Sequence, residues 1–205
     1  MKLSELKVKL DGHLKRPTIN SRILLDRFRV LVPESRKTSP YNDDRYAPFY
    51  YYLGKYMEPK RICEVGLQLG LLSGCFLTGC QTVEHFLAFQ RETDEFYAAR
   101  LALANIHARY KGSFDFYYGL ITDEIWEAKF NSQWDVVFIN DEVDYDSHMS
   151  YLDMAWGQID YGGRIVVDYI RSHEPSKEAF FNFCKINGRE PITMDTRYGT
   201  GILEK

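Results

Sequence analysis

From residue 60 onward, short apolar runs alternate with amphipathic segments in a rhythm that few architectures satisfy. Residues 60–66 (KRICEVG), 82–89, 113–118, 134–140 (WDVVFIN) and 164–169 read as strands. Between them, 70–79, 94–110, 122–130 and 145–159 read as helices. A further helix spans 175–187, with Pro175 suited to its first turn, and 191–195 and 199–203 read as closing strands. The WDVVFIN run is apolar almost throughout, as a strand buried on both faces must be. Such repetition implies an α/β fold of the doubly wound, Rossmann-like kind. Its sheet is mostly parallel, with right-handed crossovers and helices on both faces.

Residues 45–205 are therefore expected to form the domain, and 1–44 an N-terminal helical extension or lid. The extension predicts helices at 3–10 and 20–32, the second with Ile23, Leu24, Arg27, Phe28 and Leu31 at helical spacing. A loop over 33–44 follows from its Pro, Ser, Asn and Asp content. Residues 45–57 form an aromatic helix. Tyr46, Phe49, Tyr50, Leu53, Tyr56 and Met57 share its core-facing stripe, and Tyr51 and Tyr52 lie off it, open to a ligand or a partner. Residues 1–45 hold eleven Lys/Arg against six Asp/Glu, and the remainder fifteen against twenty-three. A solvated helical extension is the simpler reading of the basic leader; a phosphate, a nucleic acid or an acidic partner subunit is the alternative. The acidic body argues against a broad nucleic-acid surface. The leader and the aromatic helix are also candidates for a homodimer contact.

No apolar run approaches the ~20 residues that cross a bilayer, and the charged start of the chain lacks the apolar core of a signal peptide. A cytoplasmic location is the default expectation. Cys63, Cys75, Cys80 and Cys184 show no metal-ligand spacing and read as reduced, buried thiols.

In sheets of this kind ligands bind beyond the carboxyl ends of the strands. The first strand runs into Glu64-Val65-Gly66-Leu67-Gln68-Leu69-Gly70-Leu71-Leu72-Ser73. A dinucleotide loop needs a glycine where Gln68 stands, because a side chain there obstructs the pyrophosphate. Gln68 thus speaks against a nicotinamide-dependent oxidoreductase and favours a ligand without phosphates.

Glu64-x-Gly66-x-x-x-Gly70-x-x-Ser73 resembles the first S-adenosylmethionine (SAM) motif of class I methyltransferases, particularly the small O-methyltransferase-like group of catechol and macrocin type (methyltransferase family 24-like). WDVVFIN, Tyr145, Gly162-Gly163-Arg164-Ile165-Val166-Val167-Asp168 and the closing Tyr198-Gly199-Thr200-Gly201-Ile202-Leu203-Glu204-Lys205 resemble that group's fourth, fifth and last strands. The resemblance covers residues 45–205. It implies a seven-stranded sheet whose last strand is antiparallel, and SAM as cofactor. It also implies O-methyl transfer to a small-molecule or sugar-like hydroxyl. By position, Gly66 and Gly70 border the methionine part of SAM, Ser73 steadies the loop, and Gln68 is a further cofactor-binding candidate. Glu64 meets the SAM amino group, directly or through water, or else is a strand residue satisfied by backbone. The resemblance predicts that Gly66→Arg removes SAM binding while the chain stays folded.

Several positions depart from the group's pattern. Gln90 stands where an acidic residue accepts from both ribose hydroxyls, and an amide accepts without charge assistance. Leu120 falls where a polar residue lies near the adenine. Asn140 replaces an aspartate and Val143 a histidine after the fourth strand. In metal-dependent members a cation sits on that aspartate and an acid–amide pair, here Asp168-Tyr169. Hard cations want several oxygen ligands, so Asn140, Asp141 and Asp168 form a poor set and a divalent metal is not expected. For catalysis, Asp168 and His173 both follow the fifth strand. His173 is the better base at neutral pH, imidazole titrating near ~6.5; His148 is the weaker candidate. Gln90, Leu120 and Asn140 together motivate the alternative, a non-catalytic binding or assembly module descended from a methyltransferase.

Overall fold

The computed structural model describes residues 1–15, 45–91, 96–107, 110–119, 123–129 and 133–205. The expected helix at 20–32, the loop at 33–44 and Leu120 lie outside the described residues.

The order of elements is α1 (Leu3–Lys15), α2 (Tyr46–Met57), β1 (Arg61–Val65), α3 (Leu71–Gly79), β2 (His85–Gln90), α4 (Phe96–His107) and β3 (Ser113–Tyr118). It continues with α5 (Asp123–Lys129), β4 (Trp134–Ile139), α6 (Tyr145–Gln158), β5 (Ile159–Val167), α7 (Glu174–Ile186), β6 (Ile192–Met194) and β7 (Thr200–Glu204). The seven strands form one sheet in the order β3-β2-β1-β4-β5-β7-β6. β7 runs antiparallel to β5 and β6, and the other pairings are parallel. This is the expected doubly wound sheet, and strand order reverses between β1 and β4.

Because side chains alternate along a strand, each central strand feeds two cores. Ile62, Phe86, Ala88, Val136, Phe138, Val166 and Ile202 join one, under α1 to α4. Cys63, Val65, Leu87, Val137, Ile139, Val167 and Leu203 join the other, with α6 and α7. Burial of both faces explains why WDVVFIN carries so little polarity. The four cysteines are buried and free.

Three sequence expectations shift. The fifth strand begins at Ile159 rather than 164: Trp134 pairs with Ile159 and Val136 with Arg164, so residues 160–163 loop out as a bulge around the Gly162-Gly163 pair. Helix α1 is no solvated extension, since Leu6 and Leu10 are buried in the first core. Lys7 Nζ reaches the Thr193 carbonyl at 3.0 Å, and Arg164 that of Met1 at 2.6 Å. Tyr52, expected to face a ligand or partner, is 6% exposed beneath His13, whose ring stacks on it at 3.5 Å.

Helices α2 and α3 touch backbone to backbone. A Cβ on Gly79 would lie 1.9 Å from the Tyr51 carbonyl oxygen, and one on Gly54 would lie 2.3 Å from that of Phe76. Only glycine permits this approach. Among the described residues, no helix is long and apolar enough to cross a membrane.

Candidate functional site

The same alternation puts Gln90, Asn140 and Asp168 in one row at the carboxyl edge, with Glu64 on the same face two residues behind it, on the side of the sheet that α2 and α3 cover. The row crosses the point where strand order reverses, which is where open α/β sheets bind ligands.

β1 ends in a tight turn. The Gly66 and Leu67 N–H groups both donate to the Phe89 carbonyl (2.9 and 3.2 Å), and α3 starts from Gly70 in a left-handed conformation. Beneath the turn lies Glu64, with no exposed surface. It accepts hydrogen bonds from the Ser73 hydroxyl and, at 3.1 Å, from Asn140 Nδ2. Burial pushes its carboxyl up to about 8, against the pull of these two hydrogen bonds, and the nearby Asp168 charge adds to the rise. Burial thus favours the protonated form of Glu64 over the ionised one.

Asn140 Nδ2 also donates to the Gly66 carbonyl at 3.1 Å. With two acceptors facing one end of the amide, its orientation is fixed. The other end, Oδ1, is buried and has no hydrogen-bond partner. An unpaired buried acceptor costs about 1–3 kcal/mol.

Gln68 spans the cleft. Its backbone N–H donates to Gln90 Oε1, while its Nε2 donates to the Asn140 carbonyl at 2.9 Å and to the Tyr169 hydroxyl at 3.2 Å. Gln90 Nε2 in turn donates to the Arg91 carbonyl at 3.2 Å. Gln68 and Tyr169 both hold positive φ, 49° and 66°, and the hydrogen bond joins them. Backbone strain of this kind concentrates at functional sites.

Asp168, 1% exposed, is covered by α2. Its oxygens accept from the Tyr46 hydroxyl at 3.0 Å and the Thr200 hydroxyl at 3.1 Å. Burial lifts it to about 6, with these hydrogen bonds opposing. Burial also raises Tyr46 well above an ordinary phenol, and the Asp168 charge adds to it. The sequence reading missed Tyr46 as the cover of Asp168, because α2 reads as plain core. The residues make a poor set for a divalent cation: Asn140 supplies a neutral amide oxygen, Asp141 is paired with Arg91, Asp168 is engaged by two hydroxyls, and a phenol stands at 169 where an amide would ligate.

His173 caps α7, half-buried, with Nδ1 2.8 Å from the Ser176 hydroxyl. His148, on α6, is fully buried and neither ring nitrogen has a partner. Burial, and then the proximity of His173, lowers it to about 4. Its lowered pKa means the native state binds this proton less readily than the unfolded chain. Stability is therefore complete above ~6.5 and falls as pH drops toward 4. Replacing His148 by leucine should remove ~3 kcal/mol of this acid sensitivity. Chemical unfolding at pH 7, 5 and 4 checks it; parallel pH profiles for the two proteins would contradict it.

No protein-family model matches the sequence, and no curated protein matches it. Solved structures do. An O-methyltransferase from Bacillus cereus in complex with S-adenosylhomocysteine (SAH) matches with a TM-score of 0.63 at 14% identity, over 100% of both chains. A Podospora anserina methyltransferase bound to SAH gives 0.65 at 12% identity, over 100% of this chain and 97% of that one. A Streptomyces achromogenes O-methyltransferase involved in tomaymycin synthesis, in complex with SAM, gives 0.63 at 13% identity, over 100% and 98%. The fold is that of the class I O-methyltransferases. These matches span the full length of the chain.

Proposed function

We propose that the protein is a SAM-dependent methyltransferase acting on a hydroxyl of a small-molecule or sugar-like acceptor. The observation that carries this reading is the unpaired Oδ1 of Asn140, set beside buried Glu64 and above the glycine turn. A primary ammonium brings donors for that oxygen and a positive charge for the carboxylate, and the amino acid end of SAM carries one. The structural neighbours solved with SAM or SAH support the same cofactor.

In this reading the 66–70 turn, Asn140 and Glu64 hold the amino acid end, and Ser73 fixes the carboxyl of Glu64. Gln68, which links the turn to Asn140 and Tyr169, is the group that yields as the ligand enters. SAM supplies an electrophilic methyl group, and transfer then depends chiefly on in-line positioning of the acceptor. Asp168 is closed off by Tyr46 and Thr200 and acts as a structural anchor at the acceptor end. His173 is left as the base for the acceptor hydroxyl, held through Nδ1 by Ser176.

Calorimetric titration with SAH tests the reading directly. The expected result is micromolar affinity that is the same with magnesium and with EDTA, since the donors do not suit a cation. Binding that requires magnesium would overturn the metal-free site. Absence of binding in both would refute the proposal and favour the non-catalytic module.

A further inference from the structure

The end of β2 offers a ribose an uncharged amide in place of a carboxylate. Gln90 Oε1 accepts from the Gln68 N–H and Nε2 donates to the Arg91 carbonyl, so each end of the amide already has one backbone partner, and its oxygen accepts without charge assistance. A carboxylate from another strand lies close by. Asp141 follows β4, and its Oδ1 is 3.6 Å from the Arg91 guanidinium. Since Arg91 directly follows Gln90, that ion pair holds the carboxylate across from the end of β2. Its Cβ also lies against the β1 turn, 2.9 Å from where a Cβ on Gly66 would sit. The second oxygen, Oδ2, is buried and has no hydrogen-bond partner. A carboxylate oxygen withdrawn from water without a donor is costly, and the backbone contact from Glu142 to this carboxyl leaves Oδ2 itself without a partner.

Resting on the SAM reading above, we propose that Asp141 is the acceptor for the cofactor's ribose hydroxyls, replacing from β4 the carboxylate that β2 lacks. Arg91 holds one oxygen and the ribose diol donates to the other. The carboxylate is raised by burial and drawn back down by Arg91, and hydroxyl donors would favour its ionised form further. The substitution of an amide at Gln90 then reflects relocation of the ribose contact rather than its loss.

The test compares two ligands on three proteins by calorimetry: SAH and its 2′,3′-dideoxy analogue, on wild type, Asp141→Asn and Gln90→Ala. Wild type is expected to prefer SAH about tenfold or more, the size of a lost charge-assisted hydrogen bond. Asp141→Asn should lose about that factor for SAH while binding the dideoxy analogue as wild type does, so the preference collapses. Gln90→Ala should retain the preference, even with weaker binding of both ligands. Equal losses for both ligands in Asp141→Asn would reduce Asp141 to a scaffold role and overturn the proposal. So would a preference that survives in Asp141→Asn or disappears in Gln90→Ala. If wild type binds neither ligand, the SAM reading itself fails and this assignment with it.

Discussion

Gly66→Ala is expected to lower stability by about 3 kcal/mol and the melting temperature by roughly 10 °C. Two effects add. Gly66 sits at φ 85°, a conformation that costs any residue with a side chain. An added Cβ would also meet the Asn140 carbonyl oxygen at 2.4 Å and the Asp141 Cβ at 2.9 Å. The first of these is backbone, itself tied into the sheet because the Asn140 N–H donates to Val65 at 2.8 Å. It cannot swing aside as a flexible side chain would. An arginine carries the same Cβ, so Gly66→Arg, expected from sequence to remove binding and leave the fold intact, should cost at least as much stability as alanine. Thermal unfolding of the alanine variant is the check, and a melting temperature within 2 or so degrees of wild type would mean the turn relaxes more freely than its contacts suggest.

Glu64→Gln should produce the second large effect, and its sign depends on pH. A carboxyl raised from the ordinary 4.5 to about 8 stabilises the fold fully below 4.5, and that contribution is lost as pH rises through 8. Wild type should therefore weaken by ~4 kcal/mol between those limits from this group. Glutamine has nearly the shape of the protonated acid and does not titrate. The variant should be similar to wild type at pH 5 and more stable at pH 9. Asp168, raised to about 6, contributes a like-signed loss at the lower end of the window in both proteins, so their difference reports Glu64 together with its coupling to the Asp168 charge. Ligand binding should move the opposite way. An ammonium beside Glu64 favours its ionised form, so wild type binding SAH near neutral pH should release a proton, and the glutamine variant should bind more weakly and release none. Titrations in two buffers of different ionisation enthalpy report the proton. A variant that loses stability at pH 9 would show that Glu64 is ionised and satisfied in the native protein.

Much of the architecture was legible because its signals are local. WDVVFIN declares a strand buried on both faces, the Glu64-to-Ser73 segment declares a turn into a helix, and both lie where expected. Period-two alternation also brought Glu64, Asn140 and Asp168 to one face. What the sequence did not reveal depends on contacts between distant segments. Tyr46 and Asp168 are 122 positions apart, and nothing local distinguishes a tyrosine that donates to a buried carboxylate from one that simply fills a core. Gln90 reads from sequence as an uncharged stand-in, and nothing local reveals that its amide is already bound to the Gln68 backbone. The bulge at 160–163 was hidden because a glycine pair signals a turn before a strand as readily as an interruption within one.

The glycine contact between α2 and α3 bears on how the two ends of the cleft communicate. Ser73, which fixes Glu64, rides on α3, and Tyr46, which seals Asp168, rides on α2. With backbones interlocked at Gly54 and Gly79, the helices have no side-chain cushion across which to slide. They form a single lever with one arm over each end of the cleft. A displacement that loosens the turn around Glu64 should therefore be carried to the seal over Asp168, and a ligand filling one end is expected to shift the geometry of the other.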